Sequence, residues 1–413
     1  MTPPATPKVP RHLRASDLRG ITQLATQATV GVARIAEGVH QSVWSTLGAP
    51  GGPQEGQTRG LTAWVYRSIE GIAQLLGKGA DTAMARLFPL LEEAGTAEPE
   101  SPQREAVLAA LNGVLGDRLA ASANPFATRM ALRFQGAEVA PLAPPAGLAA
   151  SRKVLLLVHG LCMNDLQWQM EHDGQPFNHG TVLGAALGAC PVYLRYNSGR
   201  HVSENGADLS SLLEQLLVRP GNSVDDLTVV AHSMGGLVIR SALHHAARRS
   251  LHWPGVLRNI VFLGTPHHGA PLERAGNWVD ELLGGTPWTA PFARLGQLRS
   301  AGITDLRYGF LADEDWHGHE RFRRQPDRRL HLPLPAGIAC FAIAASIAAK
   351  RSPLADRLIG DGLVPLHSAL GQHDDPQRTL AFGRSAQSIV WRTHHMELLR
   401  HPDVARQMVD WLA

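Results

Sequence analysis

Leu227-Thr-Val-Val-Ala-His-Ser-Met-Gly-Gly236 decides the fold. An apolar, β-branched run ends in Ala-His-Ser-Met-Gly, and an apolar stretch at helical spacing follows over 236–248. Strand, sharp turn and helix in that order leave Ser233 on the turn, its hydroxyl held out above a sheet. Small residues must stand two positions either side of the Ser, because strand and helix pass close together there. Ala231 and Gly235 meet that need, with Ala231 where Gly is the usual residue. A nucleophile of this kind needs backbone donors upstream for an oxyanion, then an acid and a His downstream.

Each part has a candidate at the end of a predicted strand. Val158-His-Gly-Leu161 follows the buried run 153–158. Gly160 lets the backbone come close, and the N–H groups of Leu161 and Met234 would face the developing oxyanion. His159 and Gly160 are the candidate substrate-contacting residues. Such donors matter because charge builds on the carbonyl oxygen only in the transition state. Ile359-Gly-Asp361-Gly-Leu-Val-Pro365 follows the strand predicted at 338–344, and glycines on both sides allow a tight turn that aims one carboxylate inward. Asp356 is the rival acid, in surroundings that read as helical. Thr393-His394-His395-Met396-Glu397 follows the last predicted strand, 388–391, and either His could take a proton from Ser233. The order Ser, Asp, His differs from the orders of the two main serine protease folds.

Outside this region the chain changes character. The 413 residues are enough for one large core plus an added region. Residues 1–15 are Pro-rich, read as disordered, and contain no apolar signal-peptide run. Helices are expected from Ser16 to about Leu47, from Leu61 to about Leu87, and from Ser101-Pro102 to about Leu119. These form an expected helical region over 16–125, whose apolar faces must pack on something and could mediate a homo-oligomer. Residues 136–150, rich in Ala and Pro, read as a linker. From 126 onward strands alternate with helices, which predicts an α/β catalytic domain on a mostly parallel sheet. Strands are expected at 130–134, 153–158, 191–196, 227–230, 259–263, 338–344 and 388–391. Helices are expected at 209–217, 236–248 and 396–413, the last interrupted at His401-Pro402. The stretch 270–332 loses periodicity, carries Trp278, Trp288, Phe292 and Trp316, and reads as a lid insertion.

Charge excludes a strong electrostatic partner: 39 Lys and Arg against 36 Asp and Glu leave +3. The Arg cluster 321, 323, 324, 328 and 329 reads as a solvated loop, so no nucleic-acid partner is expected. No stretch approaches the roughly 20 apolar residues of a membrane-spanning helix. The three cysteines, Cys162, Cys190 and Cys340, fit neither a metal pattern nor a disulfide framework, and each reads as a small buried thiol. A cytoplasmic protein without metal or cofactor is the expectation.

Together these segments resemble bacterial lipases and esterases of the α/β-hydrolase superfamily, closest to the branch grouped with the catalytic domain of GPI inositol-deacylases. The similar segments are His-Gly-Leu-Cys-Met-Asn-Asp (159–165), Ala-His-Ser-Met-Gly-Gly (231–236), Leu-Gly-Thr-Pro-His-His-Gly (263–269), Gly-Asp-Gly-Leu-Val-Pro (360–365) and His-Met-Glu-Leu-Leu (395–399). The resemblance covers about 150–413 and leaves 1–125 unexplained. It implies a triad of Ser233, Asp361 and His395, and it favours His395 over His394, because the leading His of that last block is the catalytic one. It implies hydrolysis of a small-molecule or lipid carboxylic ester through an acyl-enzyme. The alternatives are another acyl bond (polyester, thioester or amide) cut by the same triad, or a non-catalytic lipid- or partner-binding protein.

Overall fold

The two central strands are largely apolar stretches of the sequence. Lys153–Val158 and Asp226–His232 pair in parallel, Val154 opposite Leu227 and Val158 opposite Ala231. Both are covered on both faces, so neither alternates with polar residues. The computed structural model describes residues 102–218, 221–270, 299–318, 327–349 and 360–413. The chain divides into two compact units, 1–101 with 122–126 and 102–121 with 127–413, and the second carries the sheet. The helices expected over 16–87, the rival Asp356, and 271–298 and 319–326 of the expected lid lie outside the described residues.

In chain order the strands are β1 (Ala131–Phe134), β2 (Ala137–Val139), β3 (Lys153–Val158), β4 (Met170–His172), β5 (Gln175–Phe177), β6 (Cys190–Arg195), β7 (Asp226–His232), β8 (Leu257–Leu263), β9 (Ala339–Ser346) and β10 (Gln387–Trp391). Eight of them form one sheet in the order β10-β9-β8-β7-β3-β6-β1-β2, with β4 and β5 a separate hairpin. Pairs from β10 to β6 are parallel, whereas β1 runs antiparallel to both β6 and β2. The main helices are α1 (Pro102–Ala121), α2 (His179–Leu187), α3 (Val202–Leu217), α4 (Met234–Arg249), α5 (Ala301–Tyr308) and α6 (Pro402–Leu412). A mostly parallel sheet that reverses order around β3, with a strand-turn-helix elbow at β7–α4, is the α/β-hydrolase fold.

Caps and turns explain where these elements stop. Asn178 accepts the Gly180 and Thr181 N–H groups at the start of α2, and Gly188 at φ 62° ends it. Pro402 stands in the first turn of α6, where its missing N–H costs nothing. On one face of the sheet Leu155 and Leu157, Val230, Val261 and Leu263, and Ile343 and Ala345 pack with Leu398, Val404 and Met408 of the C-terminal segment. Burying each large aliphatic side chain there contributes about 1.5–3 kcal/mol. His179 Nε2 meets the Leu398 carbonyl at 2.8 Å, which ties α2 to the same segment. Among the described residues no helix is long and apolar enough to cross a membrane.

Several expectations need correction. The linker read at 136–150 contains β2 and the one-turn helix Ala146–Ala149. Three residues of strand and four of helix are too short to show a period. The helix expected at 209–217 begins earlier, at Val202. Of the cysteines only Cys162 is buried; Cys190 and Cys340 are half-buried, and all three are free thiols.

The described part of 270–332 is anchored to the body of the domain. Ser300 caps α5 through the Ile303 N–H, and the Gly302 N–H donates to the Gly199 carbonyl at 3.1 Å. Trp316 stacks on His201 with ring centres 3.7 Å apart, and its indole N–H donates to Ser203 Oγ at 2.9 Å.

Candidate active site

Ser233 stands between β7 and α4 with φ 53° and ψ −123°. A residue with a side chain rarely adopts that conformation, at a cost of order 1–3 kcal/mol. Two backbone bonds hold it: the Ser233 N–H donates to the Leu263 carbonyl at 2.8 Å, and the Gly236 N–H donates to the Ser233 carbonyl at 3.1 Å. Small flanking residues are required as read. Ala231 is fully buried. A Cβ placed on Gly235 would lie 2.6 Å from the Val158 carbonyl oxygen and 2.7 Å from that of His159, at the end of β3.

The loop after β3 lies against the serine. A Cβ on Gly160 would sit 3.0 Å from Ser233 Cβ and 3.3 Å from Met163 Sδ. Leu161, Met163 and Met234 are buried. Met234 opens α4, and the first N–H groups of a helix have no intrahelical acceptor. His159 does not open to a ligand: its ring is fully buried and both nitrogens are engaged. Tyr196 N–H donates to Nε2 at 3.3 Å, so the proton sits on Nδ1 and goes to the Gly160 carbonyl at 2.8 Å. The ring stacks on Tyr196 at 4.2 Å, and the Tyr196 hydroxyl donates to the His159 carbonyl at 2.9 Å. Burial holds the His159 imidazole down to about 4, so it is neutral at pH 7.

The loop is braced from outside by buried charges. Arg195 of β6 pairs with Asp165, and reaches Glu105 of α1 at 3.1 Å. Asn164 donates to the Glu105 carbonyl at 3.0 Å, and Cys162 N–H donates to Ser198 Oγ at 3.0 Å.

Asp361 and His395 are brought together. His395 Nδ1 lies 2.7 Å from Asp361 Oδ2, and both residues are fully buried. The other carboxylate oxygen accepts the Leu363 and Val364 N–H groups at 3.0 and 2.7 Å. The His395 N–H also donates to the Asp361 carbonyl at 3.0 Å, so the pair is joined by main chain and side chain. His395 Nε2 is buried and has no hydrogen-bond partner among the described residues. His394 is exposed and caps the following turn, its N–H donating to Glu397 at 2.7 Å.

Two contacts place this pair beside the serine. Gly264, next to the carbonyl that holds Ser233, has φ 56° and faces the His395 ring; a Cβ there would lie 3.0 Å from His395 Cε1. His232, immediately before Ser233, has its ring centre 4.7 Å from that of His395, and its Nε2 lies 3.4 Å from the His395 carbonyl. Burial first, and His395 second, push His232 well below its ordinary value, so it stays neutral. Sequence reading missed His232, Gly264 and Tyr196. The first two adjoin the elbow and the β8 loop; Tyr196 carries no local signal. His267 and His268 turn away: His267 packs between Phe262 and Phe382 and meets Arg240. Among the described residues no three His, Cys, Asp or Glu side chains converge to hold a metal.

The family model for a domain of unknown function, DUF7379, matches residues 127–299. Among solved structures, the mature form of the Bacillus licheniformis lipase BlEst2 is 20% identical over 66% of this chain and 96% of its own, with a TM-score of 0.40. A Pyrobaculum calidifontis esterase is 13% identical over 76% of this chain and 92% of its own, with a TM-score of 0.38. A Bacillus megaterium epoxide hydrolase is 12% identical over 63% and 94%, with a TM-score of 0.33.

Proposed function

We propose that this chain hydrolyses carboxylic esters through Ser233, with His395 as the base and Asp361 as its orienting acid. The observation that carries the reading is the buried Asp361–His395 pair, 2.7 Å apart, whose outer nitrogen Nε2 has no partner. A carboxylate at Nδ1 keeps the proton there and leaves Nε2 bare to accept one. A strained serine beside that ring is the group with a proton to give. Ser233 Oγ and His395 Nε2 share no hydrogen bond in the free protein. Such bonds often tighten only once substrate is bound.

In the proposed reaction His395 Nε2 takes the Ser233 proton as Oγ attacks the ester carbonyl. The oxyanion is held by the N–H groups of Leu161 and Met234, and loss of one such donor typically costs ~10²–10³ in rate. His395 returns the proton to the leaving alcohol. It then takes a proton from water as the water attacks the acyl-enzyme, and returns it to Ser233 Oγ as the acyl–oxygen bond breaks and the acid leaves. His159 and Gly160 act by shape: the fixed, neutral His159 ring sets the course of the loop that carries the Leu161 N–H. The loop after β3 and the first residue of α4 carry the apolar, buried Leu161, Met163 and Met234, which suits an uncharged acyl group. The likeness of the five motifs to the GPI inositol-deacylase branch belongs to the same proposal.

The test is Ser233→Ala with p-nitrophenyl acetate and butyrate, together with a fluorophosphonate probe on the unaltered chain. The expected result is labelling at Ser233 and no hydrolysis by a variant with unchanged circular dichroism. Retained hydrolysis in that variant, or an unlabelled Ser233, sinks the assignment.

A further inference from the structure

Arg240 lies on α4, two turns beyond Ser233, and is buried. Its guanidinium makes no ion pair with a carboxylate among the described residues. One arm donates to His267 Nδ1 at 3.3 Å and another to the Leu332 carbonyl, while Nε–H has no partner. An arginine can only donate. His267 Nδ1 is therefore an acceptor, and the proton of this neutral ring sits on Nε2. That Nε2–H is also buried and without a partner. Two buried donors thus have no acceptor among the described residues, and one belongs to a cation that stays charged at pH 7.

The surroundings do not neutralise that cation. Arg240 and His267 line a small cavity together with His268, Arg329, His331 and Arg378, and among the described residues no carboxylate lines it. Arg329 and Arg378 are matched from outside: Asp327 binds Arg329 at 2.8 Å and Arg378 at 3.2 Å, and Asp375 lies 3.8 Å from Arg378. Three guanidinium groups face two carboxylates, and the excess charge is that of Arg240. Burial, and then Arg329, push its pKa down to about 10, with no carboxylate countering them. A buried charge without a counter-charge is strongly disfavoured.

We propose that this cavity binds a chloride-sized monoanion, which accepts from Arg240 Nε–H and His267 Nε2–H. Single charge follows from the excess of one guanidinium. Size follows from the cavity, about 20 Å³, when a water alone needs about 10–15 Å³. The anion joins α4, the loop after β8 and the segment around Leu332. The site is separate from the proposed chemistry at Ser233 and does not depend on it.

The experiment is thermal unfolding of the full chain at fixed ionic strength, with gluconate replaced stepwise by chloride up to 100 mM. It is paired with bromide-soaked crystals read by anomalous scattering. Binding to the folded state alone raises Tm with the logarithm of the ion concentration once that exceeds Kd. The expected rise is about 2–5 °C for millimolar affinity, and it disappears in Arg240→Met. A bromide peak in the cavity beside Arg240 and His267 is expected as well. Should Arg240→Met not fold, the chloride-dependent shift and the bromide peak in the unaltered chain decide. Equal Tm in gluconate and chloride, or crystals with no bromide peak in the cavity, overturns the proposal. So does a larger shift with acetate or phosphate than with chloride at equal concentration.

Discussion

Replacing Asp361 by Asn tests whether this carboxylate governs His395. One carboxylate oxygen accepts the Leu363 and Val364 N–H groups at 3.0 and 2.7 Å, and the other meets His395 Nδ1 at 2.7 Å. An amide has one acceptor end and must choose. Turning its NH₂ toward the loop would set donor against two donors, and each buried donor left unpaired costs about 1–3 kcal/mol. The loop therefore favours one orientation by about 2–6 kcal/mol, with the amide oxygen on the N–H groups and NH₂ facing His395. Nδ1 must then accept, the proton moves to Nε2, and the base is lost. The same tautomer trap in a serine protease triad lowers kcat by about 10⁴, which is about 5.4 kcal/mol of barrier. The expected loss for Asp361→Asn is 10³–10⁴-fold in p-nitrophenyl acetate hydrolysis, with KM and circular dichroism nearly unchanged. ¹⁵N chemical shifts of His395 would report the tautomer. A loss under tenfold, or a proton still on Nδ1, refutes the reasoning.

Three further outcomes follow from the packing. Gly235→Ala sets a methyl 2.6 and 2.7 Å from two main-chain carbonyls of the β3 end; the expected cost is about 3 kcal/mol, or roughly 3–5 °C in Tm, and calorimetry showing an unchanged Tm contradicts it. Tyr196→Phe keeps the stack on His159 but removes the 2.9 Å donation to its buried carbonyl, so urea unfolding should show a loss of about 1–2 kcal/mol. His159 and His179, both buried, are held down to about 4 in the folded chain against an ordinary 6.5. Between those values the unfolded chain binds more protons, so their stabilising contribution is full above pH 6.5 and is lost as pH falls toward 4. The two should cost about 2 kcal/mol between pH 6.5 and 5.5. Equal urea midpoints at those pH values would count against neutral buried rings.

The centre of the sheet was legible because its strands are buried on both faces. β3 lies at the residues its apolar run marks, and β7 and β8 extend theirs by a few residues. The reversed direction of β1 was not legible, since four residues of strand carry no sign of which way they run. β2, β4 and β5 are three residues each, and α5 lies inside a stretch whose period is broken on both sides. α2 could have been found: Asn178 caps its start and Gly188 its end. At the candidate site, Asp361 was picked out by chain order and His395 by the resemblance of its block, and the two meet at 2.7 Å. What holds them escaped notice, because main-chain donors such as Leu363 and Val364 leave no trace in residue type. The packing of His232 on His395 joins residues far apart in the chain, which no local pattern announces.

The position of β10 has a bearing on how this molecule would fail. Among the described residues it is the outermost strand, bonded to β9 alone, and each of its residues is only half-buried. His395 follows it directly, clasped to Asp361 at main chain and side chain, while Ser233 sits under the well-covered β7. Margins of a sheet open at lower free energy than its middle. Fraying of β10 would draw His395 away from Asp361 while the serine and the strands around it stayed in place. Heat or dilute urea would then silence the pair before the molecule melted, and amide exchange over residues 387–399 would run ahead of exchange in β3 and β7. The durability of the site would be set by the weakest margin of the sheet and not by its core.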